Sequence, residues 1–253
     1  MIVAVQGRGI VDPGQPVFRA DDEAVLRGAM AFETMRSYAG VPFLLDRHLK
    51  RFAGSIEALA LPPAPGVEEV LALASRAAPP DHVLRLYRSS LSLVATAAPL
   101  PANLEELRAR GLALRTVDAG SPSALIAHAK ATSYAASFAA TRHAIAQGGD
   151  DAVLVSQGRV LDAPTANVWA VLGGDLLTPP LGAGVLPGVT RSFLLELGDA
   201  QERELTVEEL YGADELFITS SIREVMPVTS IDGHAVASGP TAARLQAELR
   251  SAT

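Results

Sequence analysis

At 253 residues, with 49% hydrophobic against 19% charged residues, the chain has the composition of a globular protein of one large or two modest domains. Zero cysteines exclude disulfides, thiolate nucleophiles and thiolate metal sites, and the five histidines lack metal-ligand spacing, so no metal is expected. A net charge of -7 argues against general nucleic-acid binding. No apolar run is long enough to span a membrane and no secretory signal is visible, so the expected location is the cytoplasm.

In chain order, IVAVQG reads as a short strand, followed by turn residues and a second short strand around Val17–Phe18. DDEAVLRGAMAFETM has apolar residues at helical spacing, with Asp21 or Asp22 as N-cap. ETMRSY and VPFLL flank Ala39-Gly40, a two-residue hairpin signature. Asp46 can cap the next helix, whose apolar face is Leu49, Phe52, Ile56 and Leu59 and which Pro62-Pro63 ends. Residues 67–78 read as a helix, HVLRLYRSSLSLVATAA alternates like a strand, EELRARG is a short helix and LALRTVDA a strand.

The turn-rich DAGSPSALIA leads into the lysine region. Lys130 is one of only two lysines; the other, Lys50, sits among arginines on what reads as a solvated helix. Small and apolar neighbours (Ala127, Ala129, Ala131, and Tyr134 one helical turn on) would disfavour the ammonium form of Lys130. A lysine so placed can attack a carbonyl and form a Schiff base. A helix from about Ser133 to Gln147 follows, ended by Gly148-Gly149, then two hairpins with Gln157-Gly158 and Gly173-Gly174 at their turns. Pro187-Gly188 stands directly before a helix, followed by a short helix at TVEELYG, a strand ELFITSS, a strand with an Asp-Gly turn in PVTSIDGHAV, and a terminal amphipathic helix. Hairpin-connected strands, with no glycine-rich dinucleotide or P-loop motif after a strand, make this α/β but not a doubly wound sheet.

Five stretches, in order between residues 27 and 233, resemble motifs of the class IV aminotransferases. FETMRSYAGVPFLLDRHLKRFAGSIEAL is similar to F-E-T-x-R followed by H-L-x-R-x-x-x-S, and HAKATSYAASFAATRHAIAQGGDDAVLV to K-x-x-x-Y. GRVLDAPTANVWAV resembles G-x-V-x-E-x-P-T-S-N-I-F, LLTPPLGAGVLPGVTR resembles L-x-T-P-x-x-x-x-I-L-P-G-I-T-R, and ADELFITSSIREVMPV resembles A-D-E-V-F-x-T-S-S-x-x-E-I-x-P-V. The resemblance implies a two-domain fold of type IV: a smaller N-terminal α/β domain at 1–117, a linker at 118–125, and a larger C-terminal pseudo-barrel domain at 126–253 that binds pyridoxal 5'-phosphate. It implies further that Lys130 carries the Schiff base and moves the proton. Arg51, the Val189-Thr190 helix start and Ser221 or Ser220 would hold the phosphate, and Tyr134 would approach the phenolic oxygen. Family members usually form their pocket at a two-fold interface, so a homodimer is expected.

The chain departs from the family pattern at three places. Asp162 stands where the family has a glutamate against the ring nitrogen, Gly28-Ala29-Met30 replaces a Gly-Asp-Gly, and LYRSSL lacks a glycine after its arginine. Arg27, Arg36, Arg85 and Arg88 are the candidates for a substrate carboxylate, and alternation puts Arg85 on one face with Tyr87 and Arg88 on the other. The resemblance implies transfer of an amino group between an amino acid (D-configured substrates included) or an amine and a 2-oxo acid. The alternatives are an aminodeoxychorismate lyase, which KATSYAASFAATRHA also resembles, and a non-catalytic relative.

Overall fold

The computed structural model describes residues 1–253, leaving out only the side chain of Ala183. Its chain divides into two units, Met1–Pro101 with His128–Tyr134, and Ala102–Ala127 with Ala135–Thr253.

The first unit is an antiparallel sheet with helices on one face. Its elements are β1 (Ile2–Val5), β2 (Gly9–Val11), α1 (Glu23–Arg27), β3 (Ala31–Tyr38), β4 (Val41–Pro42), α2 (Leu45–Ala58), α3 (Val67–Arg76), β5 (His82–Arg88) and β6 (Leu93–Pro99). The strand order is β2-β1-β6-β5-β3-β4. Alternation along β3 sends Ala31, Glu33, Met35 and Ser37 inward and Phe32, Thr34, Arg36 and Tyr38 to the other face. Ala31 and Met35 of the inward set join Leu84, Leu86, Ala95 and Ala97 in a core closed by Phe52 and Ile56 of α2 and Val70, Leu71 and Ala74 of α3, with Leu49 and Leu59 packed against it. The expected apolar face of α2 is therefore the packed one. Ala39 and Gly40 both have positive φ, at 48° and 89°, which gives the β3–β4 turn the twist a tight hairpin needs.

Several expected elements differ in detail. Asp22 caps α1 by accepting from the Ala24 N–H at 3.0 Å, but the helix stops at Arg27 and AFETM is the start of β3. Gly28, in the left-handed region at φ 68°, ends it. Val17–Phe18 forms no strand; β1 pairs instead with β2 at Gly9–Val11. Asp46 lies inside the first turn of α2, whose N-cap is Leu44. HVLRLYRSSLSLVATAA folds back on itself as β5 and β6, because Ser89–Ser92 makes the turn between Arg88 and Leu93.

The second unit contains α4 (Leu104–Arg110), β7 (Leu112–Asp118), α5 (Ala135–Ala146), β8 (Asp151–Ser156), β9 (Arg159–Val160), β10 (Asn167–Leu172), β11 (Asp175–Thr178), α6 (Val189–Glu196), β12 (Ala200–Glu202), α7 (Val207–Tyr211), β13 (Glu215–Ser220), β14 (Glu224–Ile231), β15 (His234–Ala235) and α8 (Pro240–Ser251). Its mixed sheet runs β12-β11-β10-β13-β14-β7-β8-β9, with β15 on β14. The two ends of that order meet. Val160 N–H donates to the Leu205 carbonyl at 2.8 Å, and Arg159 bridges Thr206 just beyond β12. That closure gives the unit the barrel-like form that the resemblance implies. Trp169 and Phe217 stack in its core, 5.8 Å between ring centroids, with Leu194 of α6 and Leu245 of α8.

The units divide elsewhere than at residues 118–125. β7 pairs in parallel with both β14 and β8, so it belongs to the second sheet. Residues 128–134 return to the first unit, because Ala131 bridges Ala31 on the side of β3 away from β5. Such long-range pairing leaves no local trace in composition.

Candidate active site

In the first unit, the chemistry gathers around Lys130. Its backbone is strapped to β3 and α2: the Phe32 N–H donates to the Lys130 carbonyl at 2.9 Å, the Thr132 N–H donates to Met30 at 2.9 Å, and the Lys130 N–H donates to Ser55 Oγ at 3.0 Å. The segment is extended rather than helical, since α5 begins only at Ala135. Lys130 and Tyr134 are thus not one helical turn apart. They share a neighbour instead: the Lys130 Nζ stands 4.5 Å from the Phe32 ring centroid, and Tyr134 meets the same ring edge-on at 5.3 Å. Lys130 and Tyr134 are half-buried, whereas Lys50 is exposed on α2. An amine over an aromatic face keeps favourable electrostatics while losing water.

Beneath this strap lies a fully buried carboxylate, Glu33. Arg51 grips it with two parallel bonds, Nε to Oε1 and Nη2 to Oε2, each 2.7 Å, and His48 Nδ1 lies 2.8 Å from Oε2. Burial alone would push the Glu33 carboxyl up; the Arg51 charge and the bonds from Arg51 and His48 outweigh it and hold the group at about 2. Burial likewise pushes His48 below its ordinary value, against the pull of Glu33. Ser55 Oγ, which receives the Lys130 N–H, donates to the Arg51 carbonyl at 3.0 Å. Arg51 is therefore neither a solvated helix arginine nor loosely held: its plane is fixed by Glu33.

The four carboxylate candidates separate cleanly. Arg27 is exposed and ion-paired to Glu23 on its own helix. Arg88 points to the helix-covered face, where its Nε donates to the Pro62 carbonyl at 2.9 Å. Arg36 lays its guanidinium over Tyr38, 4.6 Å from the centroid. Arg85 is half-buried on the open face between Thr34 and Thr96, its cross-strand neighbours, and among the described residues it makes no hydrogen bond or ion pair. Tyr87, two residues on, stacks on Phe32 at 6.3 Å. Burial pushes its phenol up, against the Arg85 charge and a hydrogen bond to Thr96. Lys130, Phe32, Tyr87 and Arg85 thus follow one another on one face of one sheet.

The second unit carries the other candidates. Asp162 is buried, and its carboxylate accepts from Asn167 Nδ2 at 3.0 Å on each oxygen and from the Leu186 N–H at 3.0 Å. Gly188 is the N-cap of α6, which has no side-chain cap and no acidic residue in its first turn. The first N–H groups of a helix have no acceptor within it and, with the helix dipole, favour an anion. Val189 and Thr190 open that helix and are buried. Ser220 ends β13 and accepts from the Arg223 N–H at 3.2 Å, so it serves the turn; Ser221 follows it, half-buried. Among the described residues, no group of three or more histidine or acidic side chains could hold a metal.

Glu33, His48 and Asn167 carry clear structural roles that the candidate residues did not include. All three stand in the F-E-T, H-L-x-R and P-T-A-N stretches, so the motifs held the signal, but only the fold shows what each side chain touches.

Comparison with known proteins decides what this arrangement belongs to. The family model for amino-transferase class IV matches residues 30–231. The chain belongs to the class IV aminotransferase family. It is 31% identical to the bifunctional aminodeoxychorismate lyase / D-amino acid transaminase of Mycobacterium tuberculosis, over 96% of this chain and 95% of that protein. It is 30% identical to a putative branched-chain-amino-acid aminotransferase of Methanocaldococcus jannaschii, over 85% of this chain and 83% of that one. Among solved structures, a hypothetical aminotransferase from Mycobacterium tuberculosis in its alpha-ketoglutarate- and PMP-bound form superposes with a TM-score of 0.92 at 30% identity, covering 100% of this chain and 98% of that one.

Proposed function

We propose that the protein is a pyridoxal 5'-phosphate-dependent aminotransferase that moves an amino group between an amino acid (D-configured ones included) or an amine and a 2-oxo acid. The observation that carries this reading is the placing of Lys130, a half-buried amine strapped to a sheet edge in a class IV chain. The donor set suits the cofactor: an amine for an aldehyde, a buried carboxylate for a ring nitrogen, and an uncapped helix start for a phosphate. When bound, pyridoxal 5'-phosphate supplies the aldehyde and the electron-withdrawing ring.

The chain's residues take the following parts in the proposal. Lys130 Nζ would hold the cofactor covalently and would move the proton at the substrate α-carbon. Asp162 holds a proton on the ring nitrogen. The backbone N–H groups of Val189 and Thr190, the Thr190 hydroxyl and Ser221 or Ser220 bind the phosphate, and Arg51 supplies positive charge in the orientation Glu33 fixes. Tyr134 places its hydroxyl at the phenolic oxygen. Arg85, with Tyr87 beside it, receives a substrate carboxylate, ahead of Arg36; the ion pair of Arg27 with Glu23 and the bond from Arg88 to the Pro62 carbonyl favour Arg85 over these two.

A spectrophotometric screen of the purified enzyme against D- and L-amino acids and chiral amines tests the reading. The expected result is a substrate-dependent loss of the visible cofactor band, reversed by pyruvate or 2-oxoglutarate. The Mycobacterium tuberculosis relative is named for both activities, so a lyase is the second reading. Pyruvate release from aminodeoxychorismate with no oxo acid present would favour it. The same proposal takes the protein as a cytoplasmic homodimer. No described helix is long and apolar enough to cross a membrane, and Leu125 and Phe138 stand 88% and 68% exposed. Light scattering after gel filtration measures the assembly.

A further inference from the structure

Asn167 opens β10 and is 4% exposed. Its Nδ2 group has two hydrogens and three acceptors: both oxygens of Asp162 at 3.0 Å, and the Leu186 carbonyl at 2.9 Å. One hydrogen is therefore shared across the carboxylate and the other goes to the backbone. Leu186 in turn donates its N–H to Asp162 Oδ2 at 3.0 Å, and its carbonyl also accepts from the Gly188 N–H at 2.7 Å. The other end of the amide, Oδ1, presses on Gly188 so closely that a Cβ there would stand 1.9 Å from it. Gly188 has an ordinary φ of -64°, so its glycine answers to this contact rather than to backbone strain. One side chain thus touches the carboxylate, the loop at Leu186 and the N-cap of α6.

We infer that Asn167 is a positioning residue that ties the Asp162 carboxylate to the start of α6, so that the cofactor's ring nitrogen and its phosphate are held by one rigid piece. The inference rests on the cofactor reading above. The Asn167 amide does both jobs. Its nitrogen aims a short carboxylate that has one methylene fewer to search with than a glutamate, and its oxygen packs where glycine leaves room. Removal of Asn167 takes the side-chain donor from both Asp162 oxygens, leaving the Leu186 N–H on Oδ2, and lets the Leu186–Gly188 turn relax, loosening the N–H groups that follow it.

The test compares the wild-type holoenzyme with Asn167→Ala and the near-isosteric Asn167→Leu, which keeps the branched shape but carries no donor. Apoenzyme of each is titrated with pyridoxal 5'-phosphate and, separately, with pyridoxal. The phosphorylated cofactor is expected to lose affinity by about 10- to 100-fold, the range for deleting hydrogen bonds to a charged group. Pyridoxal, which does not use α6, is expected to lose several-fold less. The pH midpoint of the bound cofactor's visible band is expected to shift in both variants, which a merely structural side chain would not cause. Equal losses for the two ligands, or unchanged affinity and midpoint in Asn167→Leu, would overturn the tie. A wild-type protein that binds neither ligand would overturn the cofactor reading itself, and the inference with it.

Discussion

Replacing Glu33 by glutamine tests the buried arrangement under Lys130 quantitatively. The carboxyl lies at about 2 in the folded chain against 4.5 when free, a gap of about 2.5 units and therefore about 3 kcal/mol of stability. That agrees with the roughly 3–5 kcal/mol that removing one partner of a buried ion pair costs. The folded value lies below the unfolded one, so the stabilisation is complete above pH 4.5 and is lost as pH falls through 2. His48 is also depressed, by burial first, so it acts in the same direction: its share is complete above 6.5 and begins to be lost below that pH. Wild type should therefore weaken in two stages on acidification, and Glu33→Gln should lack the second. Urea-dependent hydrogen exchange of β3 and α2 peptides reads the first unit directly, whereas Trp169, the single tryptophan, reports the second. The variant should be less stable by about 3 kcal/mol at pH 7, the difference falling to about half near pH 3. A difference below about 1 kcal/mol, or one independent of pH down to 3, would refute the reasoning.

Three further outcomes follow from the geometry. Arg85→Gln should raise the KM for carboxylate substrates about 10- to 100-fold with kcat little changed, while Arg88→Gln, whose side chain serves the Pro62 carbonyl, should leave KM within about twofold; steady-state kinetics checks both. Gly188→Ala places a Cβ on Asn167 Oδ1 and should cost about 1–3 kcal/mol, read as a lower melting temperature with weaker cofactor retention. Glu224 is buried between Arg108 at 2.9 Å and Arg250 at 3.0 Å, so Glu224→Gln should destabilise the second unit by about 3–5 kcal/mol in urea titrations followed by Trp169 fluorescence.

Local chemistry made the hairpins legible. Gly40, Gly158, Gly173 and Gly174 adopt the positive φ that glycine announces, with Ala39 and Gln157 drawn into the same region beside them, and Thr206 with Glu209 forms a capping box at the start of α7. The apolar spacing of α2 and the glycine start of α6 were legible for the same reason. Pairing between distant segments was not. β7 reads as the last strand of the first half, yet it finds its partners at residues 151–155 and 228–231. Ala-rich residues around Lys130 read as helix because alanine favours one, while the bonds to Met30, Phe32 and Ser55 keep them extended. The site shows the same division. Lys130 stood out by its rarity and its neighbours, whereas Glu33 and Asn167 look ordinary in a row of letters and gain meaning only from the side chains folded against them. Alternation separated Arg85 from Arg88 correctly, but the sheet partners were needed to show which face is covered.

The central claim is that the amine of Lys130 holds pyridoxal 5'-phosphate covalently. Borohydride reduction of the holoenzyme, digestion and mass spectrometry measure this directly. A phosphopyridoxyl label is expected on the peptide that contains Lys130; a label on Lys50, or on no peptide, would contradict the covalent link.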